Sequence, residues 1–360
     1  MSEYKAALER FRDRIPADVD ALLVTEITNV GWLTGFTGTS GKVILGRDEA
    51  VFLTDSRYTL QADEQVSNMD VATYATPVRD EEFLATHLAR LGVKRLGFDS
   101  TMVTVAQLDN WREKVADVEW VPAKEAYANL RSVKFEYEIE RVRRACELAD
   151  ATFSHVQRML QPGVTEEAIA LDIEFFMRRH GAKVAFESIV VSGEWSARPH
   201  GVPSSKPLEV GDFVTMDFGA WLDGYNSDIT RTVVIGEATD RHREIYNQVL
   251  RANVECIEFI KPGMTGHDVD TRAREILNEL DLGQYFGHGL GHGLGRLVHD
   301  SGRLGQNCLD VIEVGQIWTI EPGVYIPGFG GVRVEDDIVI RENGVEVLTS
   351  SPKDFLVLGG

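Results

Sequence analysis

The sequence predicts a small α/β layer domain followed by a larger α+β domain built as two related halves. Three observations predict it. Strand-like and helix-like segments alternate over the first 125 residues, long helical periodicity takes over beyond residue 130, and a Pro-Gly punctuation recurs at a shift of 100. At 360 residues two domains are favoured over one, and each is long enough to bury a core. A composition of 43% hydrophobic and 26% charged residues is that of an ordinary globular protein.

In the first domain, residues 4–14 are amphipathic and 21–24 form a short apolar run. Residues 42–45, 50–54 and 95–98 read as strands, and 60–67, 81–91 and 105–115 have helical spacing. That alternation predicts a layered α/β unit, and it contains no catalytic constellation. The pattern changes around residues 121–124. Over residues 134–160, Ile139, Val142, Ala145, Leu148, Ala149 and Phe153 fall on one helical stripe. Pro162-Gly163 ends that helix. Thr165 is placed to cap the next one, with Glu166 and Glu167 at its positive end. The segment Gln161-Pro-Gly-Val-Thr165 returns as Lys261-Pro-Gly-Met-Thr265, again between a long helix (241–260) and a shorter one reaching about residue 280. This predicts an internal duplication within residues 130–360, each half being two helices followed by strands.

A formal charge of −20 argues against nucleic acid and anionic membrane surfaces as partners. Residues 1–20 are heavily charged and carry no apolar signal core. No apolar run approaches the ~18 residues of a membrane span. Cys146, Cys256 and Cys308 are scattered and odd in number, which suits reduced thiols rather than a disulfide framework or a Cys-based zinc site. The expected compartment is the cytoplasm.

The chemistry concentrates in the second domain. Asp217 and Asp228 flank the turn-prone Leu222-Asp223-Gly224, so a hairpin is expected with one carboxylate on each arm. The second half offers Glu321, in Trp318-Thr-Ile-Glu-Pro322, and Glu335, in Val332-Arg-Val-Glu-Asp336. Four carboxylates brought together need relief from protons or cations, and two divalent metals supply it directly. Imidazoles are dense in residues 286–299, which hold His288, His292 and His299. Five glycines from Gly287 to Gly295 make a regular helix costly there, so a loop or strand passing close to a ligand or metal is expected. The run lacks both the P-loop and the Rossmann patterns for phosphate. His200 sits in a loop after a strand at 188–191. Oxygen-rich ligation with one imidazole points to manganese first, then cobalt, zinc or iron. Two such ions about 3.5–4 Å apart activate a bridging hydroxide for hydrolysis at a carbonyl.

These residues resemble the Xaa-Pro peptidases, the family of aminopeptidase P and prolidase. The likeness covers essentially the whole chain and is carried by Asp217-Phe-Gly-Ala to Ser227-Asp-Ile-Thr-Arg-Thr232, His288-Gly-Leu-Gly-His292 with Val298-His-Asp300, Ile320-Glu-Pro-Gly-Val-Tyr325 and Gly331-Val-Arg-Val-Glu-Asp-Asp337. Residues 33–41 and 53–58 resemble a creatinase-type N-terminal domain. The resemblance implies that domain over residues 1–125 and an α+β pita-bread catalytic domain with pseudo-two-fold symmetry over 130–360. It implies two divalent ions, with Mn2+ first and Co2+ or Zn2+ as alternatives. The implied ligands are Asp217, Asp228, His292, Glu321 and Glu335, with Asp228 and Glu335 bridging and Glu321 acting as base. His200, His288 and His299 correspond to substrate-binding and proton-shuttling histidines, and Arg333 to an arginine that steadies the site. Homodimers or dimers of dimers are expected.

The activity this implies is an Xaa-Pro aminopeptidase acting on short proline-containing peptides. The alternative is an Xaa-Pro dipeptidase restricted to dipeptides. A non-catalytic peptide-binding module of the same fold is a remote third, disfavoured by the complete ligand set. Trp195, Arg198 and Arg296 depart from the family pattern. Each is either a surface or packing residue, or one arginine binds a substrate carboxylate and so favours dipeptides.

Overall fold

The computed structural model describes residues 3–359, so residues 1, 2 and 360, at the outer ends of the two expected domains, lie outside it. The chain divides into two compact units, Met1–Leu130 and Arg131–Gly360.

The first unit is built on a six-stranded sheet. Its order is Asp70–Tyr74, Ala50–Asp55, Lys42–Gly46, Ala21–Val24, Arg95–Phe98, Glu119–Pro122. The two pairings around Lys42–Gly46 are antiparallel and the other three are parallel. The helices expected at 60–67, 81–91 and 105–115 form as Thr59–Gln65, Asp80–Arg90 and Val105–Lys114. Besides the short helical turns Ser56–Tyr58 and Lys124–Tyr127, three elements escape the sequence pattern. Asp70–Tyr74 and Glu119–Pro122 are edge strands, the position where a strand tolerates proline and little apolar content. Ile27–Thr34 is a helix despite its β-branched residues and a central glycine. Here burial of Val30, Trp32 and Leu33 outweighs propensity, and the Glu26 carboxylate caps the helix by accepting from the Thr28 and Asn29 amides at 2.8 and 2.7 Å.

The duplication in the second unit is visible bond by bond. The helix pair Glu136–Val156 and Glu166–Arg179 is repeated by Asp240–Phe259 and Gly266–Asn278. At the two junctions Gly163 and Gly263 share φ of 90°, a left-handed conformation suited to glycine. Gly163 N–H donates to Leu208 O and Gly263 N–H to Ile312 O, both at 2.9 Å. The return bonds, Leu208 N–H to Val164 O and Ile312 N–H to Met264 O, match at 2.9 and 2.8 Å. Thr165 and Thr265 each cap the helix that follows. Each half has its own core. One packs Ile169, Ile173 and Met177 with Met216 and Phe218, and the other packs Val269, Ala273 and Ile276 with Ile320 and Val334. The acidic strands of each half therefore rest on that half's second helix.

The expected hairpin forms, with a break in it. Phe213–Phe218 pairs antiparallel with Ile229–Ile235, while Ala220–Leu222 and Tyr225–Asn226 make a separate ladder. Asp223 and Gly224 close it with φ of 50° and 86°, the two positive values that a two-residue type I′ turn requires. The ladders part at Gly219, where a Cβ would lie 2.0 Å from Ser227 O. Gly219→Ala is expected to cost about 3 kcal/mol through this overlap. Gly163→Ala, whose added methyl meets open space, is expected to cost about 1 kcal/mol from its positive φ alone. Urea unfolding of both variants measures this, and equal losses would contradict the pinch at Gly219.

Candidate metal centre

Strand register brings the acids together. Asp217 lies opposite Thr230, and Asp228 precedes Thr230 by two residues, so the three side chains share one face of the ladder. In the second half Ile320 pairs with Asp336, which sets Glu321 opposite Glu335 at the end of that ladder. The glycine-dense segment is extended at Gly291–His292, paired with Arg303–Leu304. It runs so close to its neighbours that a Cβ at Gly291 would lie 2.0 Å from Thr319 O, and one at Gly293 1.8 Å from Ser301 O. The His292 amide donates to Thr319 Oγ1 at 3.0 Å, and that hydroxyl donates to Glu321 Oε1 at 3.1 Å.

Asp228, His292 and Glu335 each place a ligand atom within 4.8 Å of the other two. His292 Nε2 lies 3.5 Å from both Asp228 Oδ2 and Glu321 Oε1, joining Glu321 to the group. Asp217 is attached through Arg333, the buried cation beside the cluster. Arg333 Nη2 donates to Asp217 Oδ2 at 2.6 Å, Nη1 to the Tyr325 hydroxyl at 2.6 Å, and Nε to Thr230 Oγ1 at 2.9 Å. Thr230 in turn donates its one proton to Glu335 Oε2 at 2.6 Å.

The electrostatics of this arrangement fit a divalent cation. Burial, then the charge of Asp217, pushes the Asp228 carboxyl well above its ordinary range. Burial and Asp228 do the same to Glu335, and burial raises Glu321. Among the described residues, the buried Asp217 Oδ1 has no hydrogen-bond partner, although its other oxygen holds Arg333. A bare buried carboxylate oxygen is costly unless a cation faces it. Behind the cluster, Asp337 Oδ2 accepts from the Asp228 amide at 2.9 Å and from the Cys146 thiol at 3.3 Å. Burial still pushes Asp337 up to about 8. Four carboxylates and one imidazole suit hard or borderline ions.

The remaining histidines border the acids. His288 Nδ1 lies 2.7 Å from Gly289 O, which only accepts, so Nδ1 carries the proton. Its Nε2, 2.9 Å from the Tyr325 hydroxyl, therefore accepts, and burial holds this imidazole neutral by lowering it to about 4. The exposed His299 ring lies 4.2 Å from that of His292. His200 is exposed and lies near both His288 and His299.

Two residues beside the cluster were not among the expected site residues. Tyr325 joins His288 to Arg333, and its signal was the strand period of two counted from Glu321. Arg303 is the direct cross-strand partner of His292, exposed and near enough to depress His299. It forms no ion pair among the described residues. The departures from the family pattern separate here. Arg296 lies over the Tyr225 ring at 5.1 Å with Nη1 3.4 Å from the Tyr225 hydroxyl, a packing position. Arg198 is exposed and stacks on Trp195 at 3.6 Å, with that indole 48% exposed.

Among the described residues no helix is long and apolar enough to cross a membrane. Residues 140–342 match the family model of metallopeptidase family M24, and residues 8–133 match the creatinase/prolidase N-terminal domain. The chain is 37% identical to the Xaa-Pro dipeptidase of Pyrococcus furiosus, covering 99% of this chain and 100% of that protein. The structure of an Xaa-Pro dipeptidase from Bacillus anthracis matches with a TM-score of 0.94 at 40% identity, covering 99% of this chain and 100% of that one. The X-Pro aminopeptidase of Thermotoga maritima matches with a TM-score of 0.89 at 34% identity, covering 94% and 98%.

The raised carboxyls make a pH prediction. A carboxyl raised on folding stabilises fully below its unfolded value, about 4, and loses that contribution as pH climbs through the folded value. With Asp337 at about 8, the chelated protein is expected to lose melting temperature steadily between about pH 4 and 8. Added Mn2+ should restore it at neutral pH. A chelated protein that gains stability across that window, or ignores Mn2+, would contradict the clustered acids.

Proposed function

The chain belongs to metallopeptidase family M24, and from that premise we propose that it is a metal-dependent Xaa-Pro dipeptidase. The observation that carries the reading is the convergence of Asp228, His292 and Glu335 within 4.8 Å, flanked by Glu321 and Asp217. These five would hold two divalent ions, Mn2+ first. When bound, the ions supply Lewis acidity to the scissile carbonyl and acidify the attacking water. The chain's own residues do the rest. Glu321 holds the proton of that water and passes it toward the leaving proline nitrogen. Arg333 fixes Asp217 and, through Tyr325, the neutral His288, whose protonated Nδ1 and hydrogen-bonded Nε2 set one orientation of the ring. His200 and His299, both exposed beside the acids, bind substrate and move protons at its reacting end. A homodimer or dimer of dimers belongs to the same proposal and rests on the family resemblance, and the cytoplasmic location rests on the scattered cysteines and the charged, signal-free residues 1–20.

The dipeptidase takes precedence over the aminopeptidase ranked first from sequence, because the relatives at highest coverage carry the dipeptidase name. A cation beside the histidines supports it. Residues directly opposite in an antiparallel pair point to the same face, so Arg303 shares the face of His292. A dipeptide's terminal carboxylate lies close to the scissile bond, within the reach of such a guanidinium. The second reading, an Xaa-Pro aminopeptidase, is favoured by the Thermotoga structure.

Hydrolysis of Ala-Pro beside Ala-Pro-Ala, with Mn2+ and with chelator, separates the two. The expected result is metal-dependent cleavage of the dipeptide alone, with Arg303→Met reducing kcat/KM about tenfold to a hundredfold, the loss of one charge-assisted hydrogen bond. Tripeptide cleavage at a comparable rate would make the aminopeptidase reading correct.

A further inference from the structure

The two glutamate-bearing segments of the candidate metal centre are paired on either side of the acids, Ile320 opposite Asp336 and Gly323 opposite Arg333. Val334 N–H donates to Pro322 O at 3.4 Å between these ladders, and one buried side-chain amide binds both segments in the same gap. Asn253, on the helix Asp240–Phe259, is fully buried. Its Nδ2 donates to Ile320 O at 2.9 Å and to Val334 O at 3.3 Å. Those carbonyls belong to the residues immediately before Glu321 and Glu335. Both accept only, so the amide nitrogen must face them, and Oδ1 is left for the Lys353 ammonium at 2.8 Å. Lys353 Nζ also meets Asp336 Oδ2 at 2.6 Å, on the residue after Glu335. The other Asp336 oxygen accepts from Arg231 Nη2 at 2.9 Å, and Arg231 Nη1 donates to the Glu335 carbonyl at 2.5 Å. Glu335 is thus held through its preceding carbonyl, its own carbonyl and the side chain that follows it. Glu321 is held through its preceding carbonyl and by its own amide, which donates to Leu290 O at 2.8 Å. Among the described residues, only Asn253 hydrogen-bonds both segments through one side-chain group.

We propose that Asn253, braced by Lys353, is a positioning residue that sets the separation of Glu321 and Glu335 and thereby the affinity and geometry of the metal pair. This rests on the assignment of those glutamates as ligands. Carboxylates across a shared site must be spaced to the ions they hold, and groups that orient ligands are worth about tenfold to a hundredfold in metal affinity. A helix amide bridging two carbonyls fixes that spacing without touching either carboxylate. The lysine end of the brace reaches solvent, with 29% of its side chain exposed, and Arg231 still pairs Asp336 when the lysine is replaced.

The test is titration of the chelated full chain with Mn2+ by calorimetry, together with the visible absorption spectrum of the Co2+ form, which reads ligand geometry. Asn253→Leu keeps the branching at Cγ and removes both donors. Val249→Ala, one turn earlier on the same buried helix face, controls for general loss of stability. Asn253→Leu is expected to weaken Mn2+ binding at least tenfold and to alter the Co2+ spectrum, with Lys353→Met shifting both in the same direction by less. Val249→Ala should leave both as in the wild type even where its melting temperature falls as far. Wild-type affinity and spectrum in Asn253→Leu overturn the proposal, as does an equal loss in Val249→Ala. If Asn253→Leu fails to fold, Lys353→Met decides by the same two readouts. A wild type that binds no Mn2+, or a Glu335→Ala variant that binds it as tightly, would instead overturn the ligand assignment.

Discussion

The constraint on which this protein's second unit depends is the burial of mutually repelling carboxylates. Two unit charges 4 Å apart cost about 4 kcal/mol at an effective dielectric near 20. Here Asp228 and Glu335 stand within reach of one imidazole while Asp217 and Glu321 press in from the sides. Arg333 supplies one compensating charge and is itself committed to Asp217, Tyr325 and Thr230. The remaining repulsion appears as raised carboxyls and as a bare oxygen on Asp217. A fold that accepts this strain without relief would gain nothing from it, and divalent cations provide the relief.

The architecture follows from that requirement. Each half of the duplicated unit seats its acidic strands on its own helix pair and its own core, so neither half must yield to place its carboxylates. The pinch at Gly219 sends Phe213–Phe218 and Ile229–Ile235 into one ladder and the hairpin tip into another, leaving Asp217 and Asp228 on a common face. The glycines around His292 let that strand press against the ladder carrying Glu321. Behind the clustered acids, Asn253, Arg231 and Lys353 answer the same need at the level of the backbone.

What could be read from the sequence were features whose cause is local. The helix at 134–160 declared itself by a long apolar stripe, the repeat with its second long helix at 241–260 by the Pro-Gly-x-Thr punctuation, and the hairpin by Asp223-Gly224. The acids and histidines stood out because their residue types and motifs carry chemistry. Elements fixed by tertiary context were silent. The helix Ile27–Thr34 exists because Trp32 and its neighbours are buried, and the edge strand Glu119–Pro122 exists because a sheet edge tolerates its proline. Arg303 and Tyr325 acquire meaning only through cross-strand register, and Asn253 only through carbonyls 67 and 81 residues away. Arg296 offered a charge between two histidines, and the fold turns it onto Tyr225 instead. The choice between dipeptide and longer substrates likewise depends on which cations face the reacting centre, which no motif states.

If these five side chains form one centre for two divalent ions, anomalous diffraction from crystals grown with Mn2+ will show it. Two manganese peaks per chain are expected, both among Asp217, Asp228, His292, Glu321 and Glu335. A map with no peak there, or with manganese only elsewhere on the chain, would contradict it.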